Sequence, residues 1–281
     1  MRVGAVEGGG TTFEVAVGSL AEGAVREEER TSIPTREPRE TLSAVVAWLA
    51  RRDVRAVGVA SFGPLSLPAG RVLGTPKPGW EGTELRQALA PLGVPVALET
   101  DVNAAALAEQ RWGAARGQQV AVYLTVGTGV GGGLVVDGEP VHGAMHPEMG
   151  HLASAYPDRF TGVCPYHGAC IEGLVSGPAI AARTGAEPAS LPDEHPVWET
   201  VAAHLGELAA AVILTTAAGC VVFGGGVVRG RPFVLRGVEA SMRRRLAGYL
   251  PWAAEASPIR RAMLERPGLW GAFALATRGT R

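Results

Sequence analysis

Residues 120–138 read Val120-Ala121-Val122-Tyr123-Leu124-Thr125-Val126-Gly127-Thr128-Gly129-Val130-Gly131-Gly132-Gly133-Leu134-Val135-Val136-Asp137-Gly138, and the residues after the glycines decide the fold. Gly127 to Gly132 satisfies G-x-G-x-x-G, a dinucleotide fingerprint that carries physical meaning only when a helix opens at the turn. Here Gly133 to Val136 continues as an apolar strand with the hairpin pair Asp137-Gly138 behind it. The pattern therefore predicts strand, turn, strand, and the dinucleotide reading fails. A P-loop fails as well, because Lys77 is the only lysine and the required glycines do not precede it.

The same arrangement stands at the start of the chain. Val3 to Glu7 reads as a strand, Gly8-Gly9-Gly10 as a turn, Thr12 to Gly18 as a second strand and Val25 to Ile33 as a more exposed third. A helix over Glu40 to Arg52, a buried strand over Arg55 to Ala60, a helix near Glu84 to Leu92, a strand over Val94 to Glu99 and a helix over Val102 to Trp112 come next. After 120–136 come helices near Ile171 to Arg183 and Val197 to Thr216, then a strand over Cys220 to Phe223 running into Gly224-Gly225-Gly226. The chain reads as a weak duplication with its boundary in Gly113 to Gly117. The expected architecture is α/β, with halves 1–117 and 118–281 and an inter-domain cleft.

The chain has 281 residues, 47% hydrophobic and 19% charged, which excludes a disordered protein. Its net charge of -1 gives no electrostatic case for nucleic acid or an anionic membrane. No stretch is expected to approach a membrane span, and Glu7 comes too early for a signal peptide. Three cysteines make no disulfide framework, so the expected compartment is the cytoplasm. The 25 arginines against one lysine reflect a bias toward Arg, in which Lys77 stands out.

Successive N–H groups in a glycine turn form an anion nest, with no Cβ to keep a phosphate away. Gly9 and Gly10 in the first half and Gly129 in the second are candidates, with Thr11, Thr12 and Thr128 as hydroxyl donors. Each turn alone also reads as a plain tight hairpin; two in matching positions favour a phosphate clamp.

His151, Cys164, His167 and Cys170 form H-x12-C-x2-H-x2-C. Four such ligands with short gaps suit tetrahedral zinc with no open position, a structural ion in the loop 146–172. His146-Pro147-Glu148 imitates the H-x-E of zinc deaminases, but the P-C-x-x-C half is absent. Cys220 reads as core.

Asp101 comes after a strand and precedes a helix, where a carboxylate serves as an N-cap or, at a cleft, as a catalytic base. Asn103 is close by and reads either as a ligand contact or as a bond to the first helical turn. Glu148 and Glu172 flank the metal loop and, with Asp101, would make an acceptor-rich pocket for a polyhydroxylated ligand.

Taken together, Ala5 to Phe13, Glu99 to Glu109, Leu124 to Gly133, His146 to His151 and the zinc loop running into Glu172 to Ile180 resemble the ROK family of sugar kinases, in order and over nearly the whole chain. The C-x2-H-x2-C loop, the Glu7 start and Thr75-Pro76-Lys77-Pro78-Gly79-Trp80 look like its bacterial fructokinase branch. The resemblance implies an actin/hexokinase-like fold of two ribonuclease H-like domains. It makes Asp101 the general base for a sugar 6-hydroxyl, and Glu148, His151, Glu172 and Asn103 sugar contacts. The two turns become phosphate loops for ATP, Gly224, Gly225 and Gly226 approach the adenosine, and Glu7 contacts Mg²⁺ through water. A homodimer is implied too, with no nucleic-acid or membrane partner. Two departures are Thr12, where the motif usually has Lys, and Thr100, where many members have Asn.

Overall fold

The computed structural model describes residues 1–21, 24–75 and 77–278; Pro76 of the Thr75–Trp80 stretch lies outside the described residues. The chain divides into two compact units. The first comprises Met1–Ala108, His142–His146 and Leu264–Arg281, the second Glu109–Val141 and Pro147–Met263.

In the first unit, β1 (Arg2–Gly8), β2 (Thr12–Ala21) and β3 (Ala24–Pro34) form a meander. Helix α1 (Pro38–Ala50) comes next, then β4 (Val57–Ser61), a short ribbon of β5 (Leu65–Ser66) and β6 (Arg71–Val72), α2 (Leu85–Leu89), β7 (Val96–Thr100) and α3 (Asp101–Trp112). The sheet order is β3-β2-β1-β4-β7. β2 pairs antiparallel with β1 and β3, whereas β1–β4 and β4–β7 are parallel. Alternating buried Phe13, Val15 and Val17 on β2 meet Leu42, Val45 and Leu49 of α1, whose apolar residues fall at helical spacing. The predicted helix over 84–92 is shorter than expected: Pro91 leaves only a 3₁₀ turn over Ala90–Leu92.

The second unit repeats the plan with β8 (Val120–Val126), β9 (Val130–Val136) and β10 (Glu139–Pro140). Asp137 and Gly138, at φ 51° and 79°, make the primed hairpin turn that their sequence announces. Helices α4 (Ile171–Val175), α5 (Gly177–Thr184) and α6 (Val197–Thr216) precede β11 (Cys220–Gly224), and α7 (Gly225–Gly230), α8 (Val234–Leu246), α9 (Pro251–Glu255) and β12 (Ile259–Arg261) complete it. The order β10-β9-β8-β11-β12 matches the first sheet strand for strand, including two antiparallel then two parallel pairings. The single helix expected over 171–183 is two: Ser176 ends α4 and its Oγ accepts from Ala179 N at 3.3 Å to start α5.

The expectation that no stretch approaches a membrane span needs correction. α6 is long and apolar enough to cross one. It is the core helix of the second unit, with Val201, Leu205, Leu208 and Val212 buried. The last helix, α10 (Pro267–Arg278), returns to the first unit and packs on β1 and β4. Gly58 permits this, since a Cβ there would lie 1.9 Å from Ala272 O.

Candidate functional site

In the first unit the parallel strands β1, β4 and β7 end together, with Glu7 beside Ala60 and Ala60 beside Glu99. Asp101 comes next as the first residue of α3. The N-cap reading of Asp101 is corrected here: Thr100 Oγ1 accepts from Asn103 N at 3.2 Å, which makes Thr100 the cap. Asp101 Oδ1 lies 2.8 Å from Val102 N, at the positive end of a twelve-residue helix.

Glu7 faces Asp101 electrostatically. Burial pushes the Glu7 carboxyl up to about 7, and the Asp101 charge pushes the same way, against a Leu269 N–H and Arg266. Gly268 allows this placement, because a Cβ there would sit 2.3 Å from Glu7 Oε1.

The turn after Glu7 is closed by Gly9 N donating to Thr12 O at 2.9 Å. Its carbonyls carry external donors: Thr35 Oγ1 on Gly9 O at 2.7 Å and Lys77 Nζ on Gly10 O at 2.6 Å. Among the described residues nothing accepts from the Gly10 or Thr11 N–H groups. Thr12 is exposed at the start of β2.

Asn103 is fully buried, and its Nδ2 donates to Glu99 Oε1 at 3.1 Å. Glu99 Oε2 is 2.7 Å from His142 Nε2. The sequence reading assigned neither Glu99 nor His142 a role. Glu99 opens the stretch Glu99 to Glu109, but its partner lies 43 residues on, with no local signal to join them. His146, also buried, accepts from Leu65 N at 3.1 Å and so supports the backbone next to Pro64.

In the second unit Gly127 N donates to Gly129 O at 2.9 Å, closing the corresponding turn. Glu172, on the first turn of α4, accepts from Val130 N at 3.0 Å. A Cβ on Gly129 would lie 2.7 Å from the same carboxylate. The Thr128 and Gly129 N–H groups have no acceptor among the described residues. Gly224 ends β11 opposite Thr125, Gly225 takes φ 83° to open α7, and the Gly226 N atom is 3.8 Å from the Cβ position of Gly127.

Glu148 precedes the 3₁₀ turn Met149–His151 and His151 ends it. That turn lies flush on β9: a Cβ on Gly150 would be 1.7 Å from Val130 O. Val130 thus joins Glu172 to the segment bearing Glu148 and His151.

The ligand atoms of His151, Cys164, His167 and Cys170 all lie within 4.8 Å of one another. His151 Nδ1 is 3.8 Å from Cys164 Sγ and 3.6 Å from Cys170 Sγ, and His167 Nδ1 is 3.8 Å from Cys164 Sγ. A tetrahedral zinc with ordinary bond lengths separates N and S ligands by about 3.5 Å, so the donor set and spacing fit one. Cys170 also caps α4, Sγ accepting from Gly173 N at 3.5 Å, two residues before Glu172.

Two matching five-stranded sheets, each with a glycine turn after its first strand and two N–H groups in that turn without an acceptor among the described residues, define a duplicated actin/hexokinase-like α/β protein. The ROK family model matches residues 3–279, and the chain belongs to that family. It is 38% identical over 298 residues to a fructokinase of Zymomonas mobilis, covering 97% of this chain and 95% of that protein. A ROK hexokinase from Thermus thermophilus aligns over 100% of this chain and 99% of its own at 29% identity, with a TM-score of 0.84. A ROK glucokinase from Streptomyces griseus, solved with glucose and AMPPNP, aligns over 99% of this chain and 100% of its own at 26% identity and TM-score 0.79.

Proposed function

We propose that this protein is an ATP-dependent hexose kinase, a fructokinase that phosphorylates the 6-hydroxyl of D-fructose. The observation that carries the reading is the pair of glycine turns, each with two successive N–H groups free to meet phosphate oxygens. The similarity to the Zymomonas mobilis fructokinase supports the choice of sugar.

Asp101 accepts the proton of the 6-hydroxyl as that oxygen bonds to the γ-phosphorus. The bond from that phosphorus to the β–γ bridging oxygen breaks, and ADP leaves with the bond's electron pair. Such a transfer depends on positioning and charge stabilisation more than on covalent help. The helix cap is supplied by Thr100, so the position of the Asp101 carboxylate is not explained by capping. Gly9, Gly10, Thr11 and Thr12 form the first phosphate loop, Thr128 and Gly129 the second, and Gly224 to Gly226 approach the adenosine.

Glu148, His151 and Glu172 bind sugar hydroxyls, and in the first unit Asn103, whose Nδ2 also donates to Glu99, is a further sugar contact. His151 turns Nδ1 to the two sulfurs, which leaves Nε2 for a hydroxyl. His151, Cys164, His167 and Cys170 would hold a structural zinc, which would fix the loop that ends in Glu172. The buried, mutually repelling Glu7 and Asp101 carboxyls fit a cation nearby; Glu7 would hold Mg²⁺ through water, and the ion would supply charge neutralisation at the phosphates. We further propose that the two units are ribonuclease H-like domains and that the enzyme is a cytoplasmic homodimer.

A panel of D-fructose, D-glucose, D-mannose and N-acetylmannosamine in an ADP-release assay tests this reading. The expected result is the highest kcat/KM with fructose; zinc-loaded, folded protein that turns over no hexose overturns it.

A further inference from the structure

Lys77 is the only lysine beside 25 arginines, and its ammonium lies against the first glycine turn, 2.6 Å from Gly10 O. No carboxylate pairs with it among the described residues, whereas Arg2, Arg36 and Arg52 of the same unit each have one. The loop that carries it is pinned. Trp80 is fully buried, stacked on Phe13 at 5.2 Å between ring centroids and set edge-on to Phe62 at 5.3 Å. Its Nε1 donates to Arg36 O at 3.0 Å. Within the loop, Trp80 N donates to Lys77 O and Lys77 N to Thr75 Oγ1, each at 3.3 Å. Phe13 immediately succeeds Thr12, so the aromatic stack fastens the loop next to the turn.

An ammonium is a compact point charge with three donors, and Gly10 O takes one of them. The turn's own Gly10 and Thr11 N–H groups bring only partial positive charge, and position 12 is exposed and uncharged. We infer that Lys77 is a phosphate-binding residue of the first glycine turn, which supplies from a separate loop the full positive charge that pairs with the β- and γ-phosphates of ATP. The inference rests on the reading of this turn as a phosphate loop.

Calorimetric binding of AMPPNP and of AMP, each with Mg²⁺, separates the two claims. It is measured for the wild type, for Lys77→Met, and for Lys77→Met combined with Thr12→Lys, after thermal melts have shown all three folded. Lys77→Met is expected to weaken AMPPNP by about 10–100-fold, the scale of a charge-assisted hydrogen bond, with AMP nearly unchanged. The added lysine at position 12 is expected to restore the preference for AMPPNP, which loss of a purely structural contact would not allow. In turnover, KM for ATP rises while KM for the sugar holds. A Lys77→Met protein that binds AMPPNP as the wild type does, or loses AMP to the same degree, overturns the role of Lys77 and leaves the phosphate loop standing. A wild type that binds neither nucleotide overturns the phosphate-loop reading itself.

Discussion

The two glycine turns occupy the same place in two sheets of the same strand order, yet they are finished with opposite charge. Around Gly8–Thr12 the neighbours are donors to carbonyls, Thr35 Oγ1 on Gly9 O and Lys77 Nζ on Gly10 O. Around Gly127–Val130 the neighbour is an acceptor, the Glu172 carboxylate on Val130 N. The first turn is also open, with nothing within 4 Å of a Cβ on Gly10, whereas Gly129 has Glu172 at 2.7 Å. A duplicated backbone therefore fixes where the N–H groups lie, and the side chains brought in around it give each turn a different neighbour. One turn lies near the carboxylate read as the base, the other near the metal loop.

The largest expected effect tests the first half of this contrast. Asp101→Asn should lower kcat by about 10²–10⁴-fold, the usual share of a general base, with sugar affinity retained; steady-state kinetics and sugar binding by calorimetry read it, and unchanged kcat removes Asp101 from that role. The second half is tested by removing the metal. Elemental analysis should find one zinc per chain, and chelation or Cys164→Ser should destabilise the second unit by several kcal/mol and lower affinity for sugar. Metal-free protein with wild-type melting would dismiss the site.

The turns themselves can be set against each other. Gly129→Ala should cost about 1–3 kcal/mol by forcing Glu172 aside, and Gly10→Ala should stay within about 0.5 kcal/mol. Urea unfolding midpoints give both values, and equal losses would erase the asymmetry.

The smallest effect is a difference in pH response. In the second unit His204 of α6 is buried between Ser154 Oγ at 2.7 Å and Asp158 Oδ2 at 2.8 Å, and burial holds its imidazole below the usual 6.5. The unfolded chain then binds more protons, so His204 costs stability as pH falls from 7 to 5. Asp158, held far below the ordinary carboxylate range by Arg183, stays ionised throughout that window. Glu7 in the first unit has the reverse sign: its pKa of about 7 against 4.5 unfolded makes the folded state the better proton binder, which adds stability as pH falls. His204→Gln should therefore remove an acid loss and Glu7→Gln an acid gain, each shifting the melting midpoint at pH 5 relative to pH 7 by about 2–4 °C. Shifts of the same sign would break the comparison.

Much of this was legible along the chain because it is local. Strand–turn–strand over 120–136 comes from alternation and glycine, and the four candidate ligands His151, Cys164, His167 and Cys170 fall within twenty residues, where spacing is informative by itself. The Glu172 bond to Val130, the Glu99–His142 pair and the approach of Lys77 to Gly10 were not legible, since their partners lie 42, 43 and 67 residues apart. The return of α10 to the first unit was hidden for the same reason: an apolar helix reads alike on either sheet, and Gly58 is one glycine among 39.

The sequence by itself determined the repeat of strand, glycine turn and strand and the Cys/His cluster, because periodicity, φ preference and ligand spacing act between near neighbours. Only the tertiary structure decided that Thr100 and not Asp101 caps α3, that Glu172 braces one turn and that Lys77 reaches a carbonyl of the other. Those outcomes depend on charges and hydrogen bonds between segments that meet only after the sheets have formed.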